Sequence, residues 1–291
     1  MNRSRLHWAL IAGTAAAVGV GAALSMRALT ELVDATLPDA RGIASFNRPG
    51  TITLLSTNGK VIQKLGPATR EKVKPGAMPP TVAEAFIAAE DRRFYQHDGV
   101  DGWGIARAIV TNVRQGAVRE GASTITQQLA RTVFLSQDRT ITRKLKEAAL
   151  AMKLERQLSK QQILEQYLNY VYLGSGAYGV ADAAWIYFSK TPEQLTVPEA
   201  AMIAGLPPAP SIYSPLVNPD LAKEQRSIVL DRMAQAGFIS ASEAERGRNS
   251  PLGLKPATPK YFNSSAPYFT TWIAQELPKF LTPEQLEVGG V

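Results

Sequence analysis

Helix-start signals recur through the middle of the chain and constrain its fold more than any other feature. Between residues 81 and 237, a hydroxyl residue stands three positions before Glu or Gln and ahead of apolar residues at helical spacing, as at Thr81 and Ser159. Two further signals, at Thr191 and Thr196, combine such a cap with an early proline. Stretches rich in glycine or proline separate these segments, at 99–102, 116–121, 174–179 and 207–219. The pattern predicts six or more helices and a mainly α-helical fold.

A β-hairpin is predicted just before the helical region. Two short runs of strand-forming residues, 51–55 and 60–64, flank Asn58-Gly59, a dipeptide typical of hairpin turns. An isolated two-stranded hairpin is marginally stable in water and exposes unpaired backbone groups. We therefore expect a third strand, supplied by residues 287–291 at the carboxyl end.

The amino-terminal segment predicts a membrane anchor. Residues 8–26 are uncharged, Arg3 and Arg5 precede them, and Arg27 follows. A helix over this stretch would span about 28 Å, close to the thickness of a bilayer core. The alternative is a cleaved signal peptide, whose apolar region is shorter, about 7 to 15 residues. The two leading arginines predict a cytoplasmic amino terminus, with the rest of the chain outside the cytoplasm.

Composition excludes several kinds of chemistry. The chain has no cysteine, which excludes disulfides, thiolate metal sites and cysteine nucleophiles, and its 2 histidines are too few for a zinc site. The net charge of +7 indicates an anionic partner, such as acidic lipid headgroups, phosphate esters or nucleic acid. Most of the excess lies in residues 118–160, which hold nine basic and four acidic side chains.

Two adjacent carboxylates, Glu90 and Asp91, close the first predicted helix. Neighbouring side chains face different directions on a helix, so one of the two can enter a cleft while the other holds nearby structure. A carboxylate that follows the apolar run 85–89 is expected to be partly desolvated, which would raise its pKa towards the range useful for a general base. The alternative is a solvated helix end in which Arg92 and Arg93 form local ion pairs with the two acids.

A run of hydroxyl and amide side chains follows at residues 121–131. Its polar members are Ser123, Thr124, Thr126, Gln127, Gln128 and Arg131. A loop of this composition that leads into a helix can grip sugar hydroxyls or phosphate oxygens with its side chains and free backbone N–H groups. The alternative is a helix cap made by Ser123 or Thr124. A cap would account for one of the hydroxyl side chains, but it would leave the two glutamines, Gln127 and Gln128, unexplained.

A third cluster joins two cations to one acid. On a helix, Arg143 and Lys144 lie four and three residues before Glu147, so all three share one face. An ordinary surface ion pair is one interpretation, although the cations precede the acid, which is the less favourable order. The other is a cationic face for pyrophosphate, with Glu147 orienting a cation or a metal ion. The spacing alone leaves both open.

Five segments, in one order along the chain, carry a family resemblance. Their sequences are EDRRFYQHDG, GASTITQQLAR, RKLKEAALAMKLE, ILEQYLNYVYLGSGAYGV and EAAMIAGLPPAPSIYSP. Together they resemble the motif regions of the peptidoglycan glycosyltransferases, glycosyltransferase family 51, over roughly residues 80 to 235. This domain opens class A penicillin-binding proteins and also occurs alone.

The resemblance implies a fold and a reaction. The fold is mainly α, lysozyme-like, with an N-terminal transmembrane helix, a small β-hairpin and a small lobe apposed to the membrane. The reaction polymerises lipid II with inversion and releases undecaprenyl pyrophosphate. The implied partners are lipid II, the nascent glycan strand, the lipid bilayer and cell-wall synthesis proteins, with no nucleic acid. No cofactor is required, a divalent cation (Mg²⁺ or Mn²⁺) is compatible, and metal ligands stay unassigned.

The resemblance also implies roles for individual residues. Glu90 is the general base, and Glu147 is the second carboxylate, near the leaving pyrophosphate. The residues implied to bind substrate are Asp91, Ser123, Thr124, Gln127, Gln128, Arg131, Arg143 and Lys144. Three others are expected to be architectural, namely Tyr167, Asn169 and Tyr172. The family usually has Lys-Asn where this chain has Arg131-Thr132, so the charge is kept and an amide is lost.

These inferences divide the chain into six predicted segments. They are a cytoplasmic tail (1–7), a transmembrane helix (8–26), a juxtamembrane linker (27–48), the hairpin (49–66), the glycosyltransferase domain (78–237) and a carboxyl extension (238–291). The extension resembles the linker to a transpeptidase domain, and without a Ser-x-x-Lys or Lys-Thr-Gly motif the chain is not expected to acylate peptide stems.

Two rival functions fit part of the sequence. A lysozyme-like, peptidoglycan-cleaving enzyme would need similar carboxylates, but it has no use for a cationic helix beside Glu147. A non-catalytic scaffold anchored in the membrane would account for the charge and the anchor, but it leaves the polar run 121–131 unexplained.

Overall fold

One β-hairpin and a series of helices make up the computed structural model of the protein. The structure describes residues 52–65, 72–74, 76–115, 123–134, 141–257 and 266–281. The predicted tail, anchor and linker, residues 1–48, lie outside the described residues, as does the expected third strand at 287–291. Within the described ranges, no helix is both long enough and apolar enough to cross a membrane.

The secondary structure over these ranges is mainly helical, as predicted. The strands are β1 (Ile52–Leu55) and β2 (Val61–Leu65). The helices are α1 (Pro80–Glu90), α2 (Gly102–Gln115), α3 (Ile125–Phe134), α4 (Ile141–Gln157), α5 (Lys160–Tyr170), α6 (Val180–Phe188), α7 (Val197–Ala204), α8 (Pro210–Tyr213), α9 (Pro219–Gln235), α10 (Ala241–Asn249) and α11 (Pro267–Glu276). Short 3₁₀ turns cover Phe94–Gln96, Pro192–Gln194 and Leu277–Lys279.

The predicted hairpin is confirmed, with a loop that differs from a minimal two-residue turn. Strands β1 and β2 pair antiparallel, and the register shifts between Leu54 and Leu55. Ser56 N donates to Lys60 O at 2.8 Å, and Gly59 takes a φ of 80°, the left-handed conformation that glycine adopts without strain. Helix α11 contacts β2, so the region after residue 266 does approach the hairpin.

Most of the predicted helix starts are confirmed, and one is wrong. Ser159, Thr191 and Thr196 each form a capping box with Gln162, Gln194 and Glu199, respectively. The predicted cap at Thr81 is not formed, because α1 begins at Pro80, two residues before the start that a Thr81 cap implies, with Pro79 at the cap position and no side-chain cap. The fixed φ of proline suits the first position of a helix, so the helix starts there without a hydroxyl cap.

Two groups of helices share one apolar core. Helix α1 packs against α7 and α9, while α3 packs against α4 and α5. Phe86 of α1, Leu129 of α3 and Leu230 of α9 are fully buried within the same cluster. The core extends past the predicted domain end at residue 237, because α10 packs on α9 and Lys255 N donates to Tyr187 O at 2.9 Å.

Two short stretches before α1, residues 72–74 and Gly76, are tied to α5. Asn169 on this helix accepts a hydrogen bond from Val73 N at 2.8 Å and donates one to Val73 O at 3.1 Å. Gly76 N donates to Glu165 on the same helix at 2.8 Å. Asn169 therefore replaces a neighbouring strand for Val73, which agrees with the architectural role expected of it.

Candidate active site

Glu90, the last residue of α1, is partly buried, and its surroundings shift its pKa. Gln128 Nε2 donates to Glu90 Oε2 at 2.6 Å, and Arg232 of α9 donates to the carbonyl of the preceding residue, Ala89, also at 2.6 Å. Burial raises the pKa of the Glu90 carboxyl above its ordinary value, while the Gln128 hydrogen bond and the charges of Arg232 and Arg131 act in the opposite direction. A carboxylate with a raised pKa is suited to accept a proton.

The neighbouring carboxylate, Asp91, is buried and bonded to protein groups. Its Oδ2 accepts a hydrogen bond from the backbone N–H of Ile125 at 3.1 Å, which caps the start of α3. The same oxygen lies 3.0 Å from His97 Nε2. The Asp91 carboxylate is therefore held by protein groups, although the residue also lines the cavity described below. Arg93 forms an ion pair with Asp101 at 3.7 Å.

The polar run at the start of α3 forms a helix cap through Thr124 and Gln127. Thr124 N donates to Gln127 Oε1 at 3.0 Å, and Gln127 N donates to Thr124 Oγ1 at 3.1 Å. Both side chains are buried, and the Thr124 hydroxyl donates to Gly99 O at 2.6 Å. The expectation that a cap cannot account for a glutamine is wrong for Gln127, because a glutamine three residues after the cap completes a capping box.

The second glutamine, Gln128, connects α3 to two other helices. Tyr167 of α5 donates its hydroxyl to Gln128 Oε1 at 3.1 Å, while the amide nitrogen reaches Glu90. Arg131, one turn later on α3, is exposed and acts electrostatically on both Glu90 and Lys144. Thr132, where the family usually has asparagine, donates its hydroxyl to Gln128 O at 2.9 Å, within the same helix.

The second carboxylate, Glu147 of α4, is held by two cations. Its Oε1 contacts Arg143, and Lys144 Nζ lies 3.0 Å from Oε2 and 2.7 Å from Ser123 Oγ. The ion pairs considered in the sequence analysis are therefore formed. Because Glu147 is only 1% exposed, they are not ordinary surface ion pairs. Burial lowers the pKa of Lys144, and the positive charges of Arg131 and Arg143 lower it further.

A cavity of about 630 Å³ opens beside the end of α1. Six of the residues predicted from sequence line it, namely Glu90, Asp91, Ser123, Thr124, Gln128 and Arg131. The other four, Gln127, Arg143, Lys144 and Glu147, do not line it; the last two connect to it through Ser123. No three His, Asp or Glu side chains converge as metal ligands within the described ranges.

Several lining residues were missed by the sequence analysis. Four are arginines, namely Arg92, Arg93, Arg107 and Arg232, and four supply apolar surface, namely Pro207, Pro208, Tyr213 and Ile228. Arg232 and its partner Ala89 are 143 residues apart in the sequence, and no local sequence pattern predicts such a contact. The cavity lining thus combines Glu90, whose pKa is raised, with five arginines and two further carboxylates, Asp91 and Asp101. Such a lining is compatible with a reaction that activates a hydroxyl next to an anion.

The comparisons with known proteins assign the chain to a class. A family model described as Transglycosylase matches residues 58–234, and the chain belongs to this family. The predicted resemblance is therefore confirmed, and with it the class of enzyme, the peptidoglycan glycosyltransferases.

The relatives described here are longer proteins. Penicillin-binding protein 1A of Neisseria lactamica is 45% identical over 241 residues, which cover 83% of this chain and 30% of that protein. Penicillin-binding protein 1A of Escherichia coli is 42% identical over 253 residues, which cover 87% of this chain and 30% of that protein. A solved structure of penicillin-binding protein 1A from Haemophilus influenzae matches with 25% identity and a TM-score of 0.46, over 84% of this chain and 26% of that one. The chain spans about 30% of the length of the curated relatives it matches.

Proposed function

We propose that the protein polymerises lipid II into glycan strands with inversion at the anomeric carbon. The 4-hydroxyl of the incoming lipid II attacks the anomeric carbon of the growing chain, and the bond from that carbon to undecaprenyl pyrophosphate breaks. Glu90 removes the proton of the attacking hydroxyl, and the electron pair of the broken bond leaves with the pyrophosphate. Arg131 and Lys144 stabilise the negative charge that develops on this leaving group.

One observation carries the proposal: the two carboxylates have opposite surroundings and are connected through α3. Glu90 ends an apolar helix and has a raised pKa, whereas Glu147 is buried between Arg143 and Lys144. Gln128 and Arg131, on one face of α3, lead from the first site towards the second. A sugar hydroxyl is a poor nucleophile that needs a positioned base, and a departing pyrophosphate needs cations, so both requirements are met side by side.

The remaining site assignments follow from the same geometry. Gln128 and Ser123 lie between the two carboxylates and would contact the donor. Asp91, Thr124 and Gln127 act by holding the start of α3, since each is bonded to backbone groups there. In this proposal Arg143 orients the Glu147 carboxylate through their ion pair, and no step requires a metal ion.

The proposed location is the inner membrane of a bacterium. A single amino-terminal span at 8–26 would leave the catalytic region outside the cytoplasm, beside the membrane that holds lipid II. A substrate anchored in the bilayer and a basic catalytic region are compatible, because the headgroups of acidic lipids attract cations. The lysozyme-like arrangement of the lobes belongs to this proposal as well.

Two incubations test the function. The full chain in detergent is mixed with lipid II and, separately, with finished glycan. Polymer from lipid II, lost in Glu90→Gln, supports the proposal. Fragments from finished glycan would instead indicate a cleaving enzyme, and the absence of both products would indicate a scaffold.

A further inference from the structure

Tyr167, which was expected to be architectural, is also connected to Glu90 through hydrogen bonds. It lies on α5, is 1% exposed and packs edge-on against Phe86 of α1, with ring centroids 6.0 Å apart. Its hydroxyl is 3.1 Å from Gln128 Oε1, and Gln128 Nε2 is 2.6 Å from Glu90 Oε2. A hydroxyl, an amide and a carboxylate therefore form a continuous chain of hydrogen bonds that ends on the general base.

The ionised carboxylate sets the direction of this chain. It can only accept, so it takes an N–H group of Gln128, and the Tyr167 hydroxyl, which is able to donate or accept, then donates to the amide oxygen. An amide has a donating and an accepting end, and a hydroxyl that donates to its oxygen turns its N–H group towards Glu90. An N–H group can only donate, so it stabilises the ionised carboxylate. If the amide were reversed, its oxygen would face a carboxylate oxygen, and that contact requires a protonated Glu90.

The tyrosine is suited to be a permanent donor. Burial, together with the negative charge of Glu90, raises the pKa of the Tyr167 hydroxyl well above its ordinary value. The hydroxyl thus keeps its proton throughout the range in which a glutamate titrates. Glu90 Oε1, the other carboxylate oxygen, makes no hydrogen bond to any residue of the described ranges, so it is available to a substrate hydroxyl.

We propose that Tyr167 is a positioning residue for the general base: by donating to the amide oxygen of Gln128, it stabilises the amide orientation that keeps Glu90 ionised and leaves Oε1 for the substrate. This inference rests on the proposed function of Glu90. Tyr167 itself touches no reacting atom. Arg131 of α3, Arg232 of α9 and Asp91 also act on Glu90, and they stay in place when Tyr167 is changed. Removal of the hydroxyl therefore lowers the ionised fraction of Glu90 at acidic pH without abolishing catalysis.

The test is the Tyr167→Phe variant of the full chain, which keeps the ring packing and removes only the hydroxyl. We expect kcat to fall by about three- to tenfold on the acidic side of the pH–rate profile, the worth of one neutral hydrogen bond. The acidic limb should move to higher pH, with KM nearly unchanged. Gln128→Leu should move the limb the same way, and the double variant should move it no further than Gln128→Leu alone, because both residues act through one chain of bonds.

Tyr187→Phe is the matched control. Tyr187 is also fully buried and also donates its hydroxyl, to Leu173 O at 2.7 Å, but it has no bond to Gln128 or Glu90. It should lower thermal stability and leave the shape of the pH–rate profile unchanged. An equal change in the profile for Tyr187→Phe and Tyr167→Phe would overturn the proposal, as would an unmoved profile in Tyr167→Phe.

A second readout separates this proposal from the proposed function. The carboxyl carbon of Glu90, assigned by its loss in Glu90→Gln, is titrated by NMR without substrate in the wild type and in Tyr167→Phe. A titration that moves to higher pH supports the chain of bonds even if the wild type makes no polymer from lipid II. Polymerisation by the wild type with an unmoved titration would retain the function and remove the role of Tyr167.

Discussion

The two glutamates stand on different helices, Glu90 as the last residue of α1 and Glu147 in the second turn of α4, and their surroundings differ. At the end of α1, Glu90 follows an apolar run, receives one amide hydrogen bond and has its pKa raised by burial. Near the start of α4, Glu147 is more deeply buried but is contacted by Arg143 and Lys144. Burial alone does not set the surroundings of a carboxylate. Glu147 is in direct contact with two cations, whereas the side-chain hydrogen bond to Glu90 comes from an amide, and Arg131 and Arg232 act on Glu90 only electrostatically.

The comparison also explains why the charged cluster is not simply a binding surface. Glu147 neutralises part of the charge of Arg143 and Lys144 and fixes where they point, so that Lys144 also reaches Ser123 at 2.7 Å. A bare pair of lysine and arginine side chains would lack that fixed geometry. At the second site, the acid Glu147 therefore holds the two cations in position. At the first site, the cations Arg131 and Arg232 stabilise the charged form of the acid Glu90.

The largest effect is expected from Glu90→Gln. The amide keeps the shape of the side chain but accepts no proton, and loss of a general base lowers rates by about 10² to 10⁴. Polymerisation of lipid II should fall by this factor while the thermal midpoint stays at or above that of the wild type. Turnover close to the wild-type value would mean that the two carboxylates have been assigned the wrong roles.

The same substitution at the second site should act on stability first. Glu147→Gln leaves two cations without their counter-charge, and because both keep some contact with water we expect a loss of about 2–3 kcal/mol in the free energy of unfolding. Urea denaturation of both variants measures this directly. Equal stability of Glu90→Gln and Glu147→Gln would remove the distinction drawn between the two sites.

Lys144→Ala should weaken the binding of a phosphoglycolipid such as moenomycin, or of a pyrophosphate-bearing lipid, by about tenfold, the worth of one charge-assisted hydrogen bond. Lys146→Ala is the control, since Lys146 is an exposed lysine on the same helix. Binding is measured by fluorescence titration with a labelled ligand. A loss of the same size for both lysines would indicate a general effect of net charge on binding.

The smallest effect is a pH dependence of stability. Because the pKa of Glu90 is raised in the folded state, the folded chain binds this proton more tightly than the unfolded chain does. Ionisation of Glu90 therefore lowers stability as the pH rises above the ordinary glutamate range. Glu90→Gln should match the wild type at about pH 4 and exceed it at about pH 7. A thermal midpoint below that of the wild type at neutral pH would contradict the desolvation of Glu90.

Sequence patterns predicted the local features of the fold well. The hairpin around Gly59, the capping boxes at Ser159, Thr191 and Thr196, and the helix end at Glu90 all depend on neighbouring residues. The cap at Thr81 was predicted wrongly because two prolines supply an equally local signal two residues earlier.

The site was predicted less completely, because its remaining parts depend on distant contacts. The motif residues Gln128 and Lys144 were found, but Gln127 proved to be half of a cap, and only the folded chain shows which glutamine faces Glu90. Arg232 and Tyr167 reach the site from α9 and α5, 143 and 39 residues from their partners Ala89 and Gln128. Helical periodicity identifies the buried face of such a helix, but not the polar atom it will meet.

The cap that Asp91 provides for α3 bears on the order in which the chain folds. Helix α3 has 10 residues, too few to be stable alone in water, and its first N–H group is satisfied by a carboxylate 34 residues away. The start of α3 can therefore be completed only after the end of α1 has docked beside it. The docking that completes α3 also brings Gln128 next to Glu90, because Glu90 directly precedes Asp91 at the end of α1 and Gln128 lies in the first turn of α3. A chain that has completed α3 has therefore also placed Glu90 beside its amide partner.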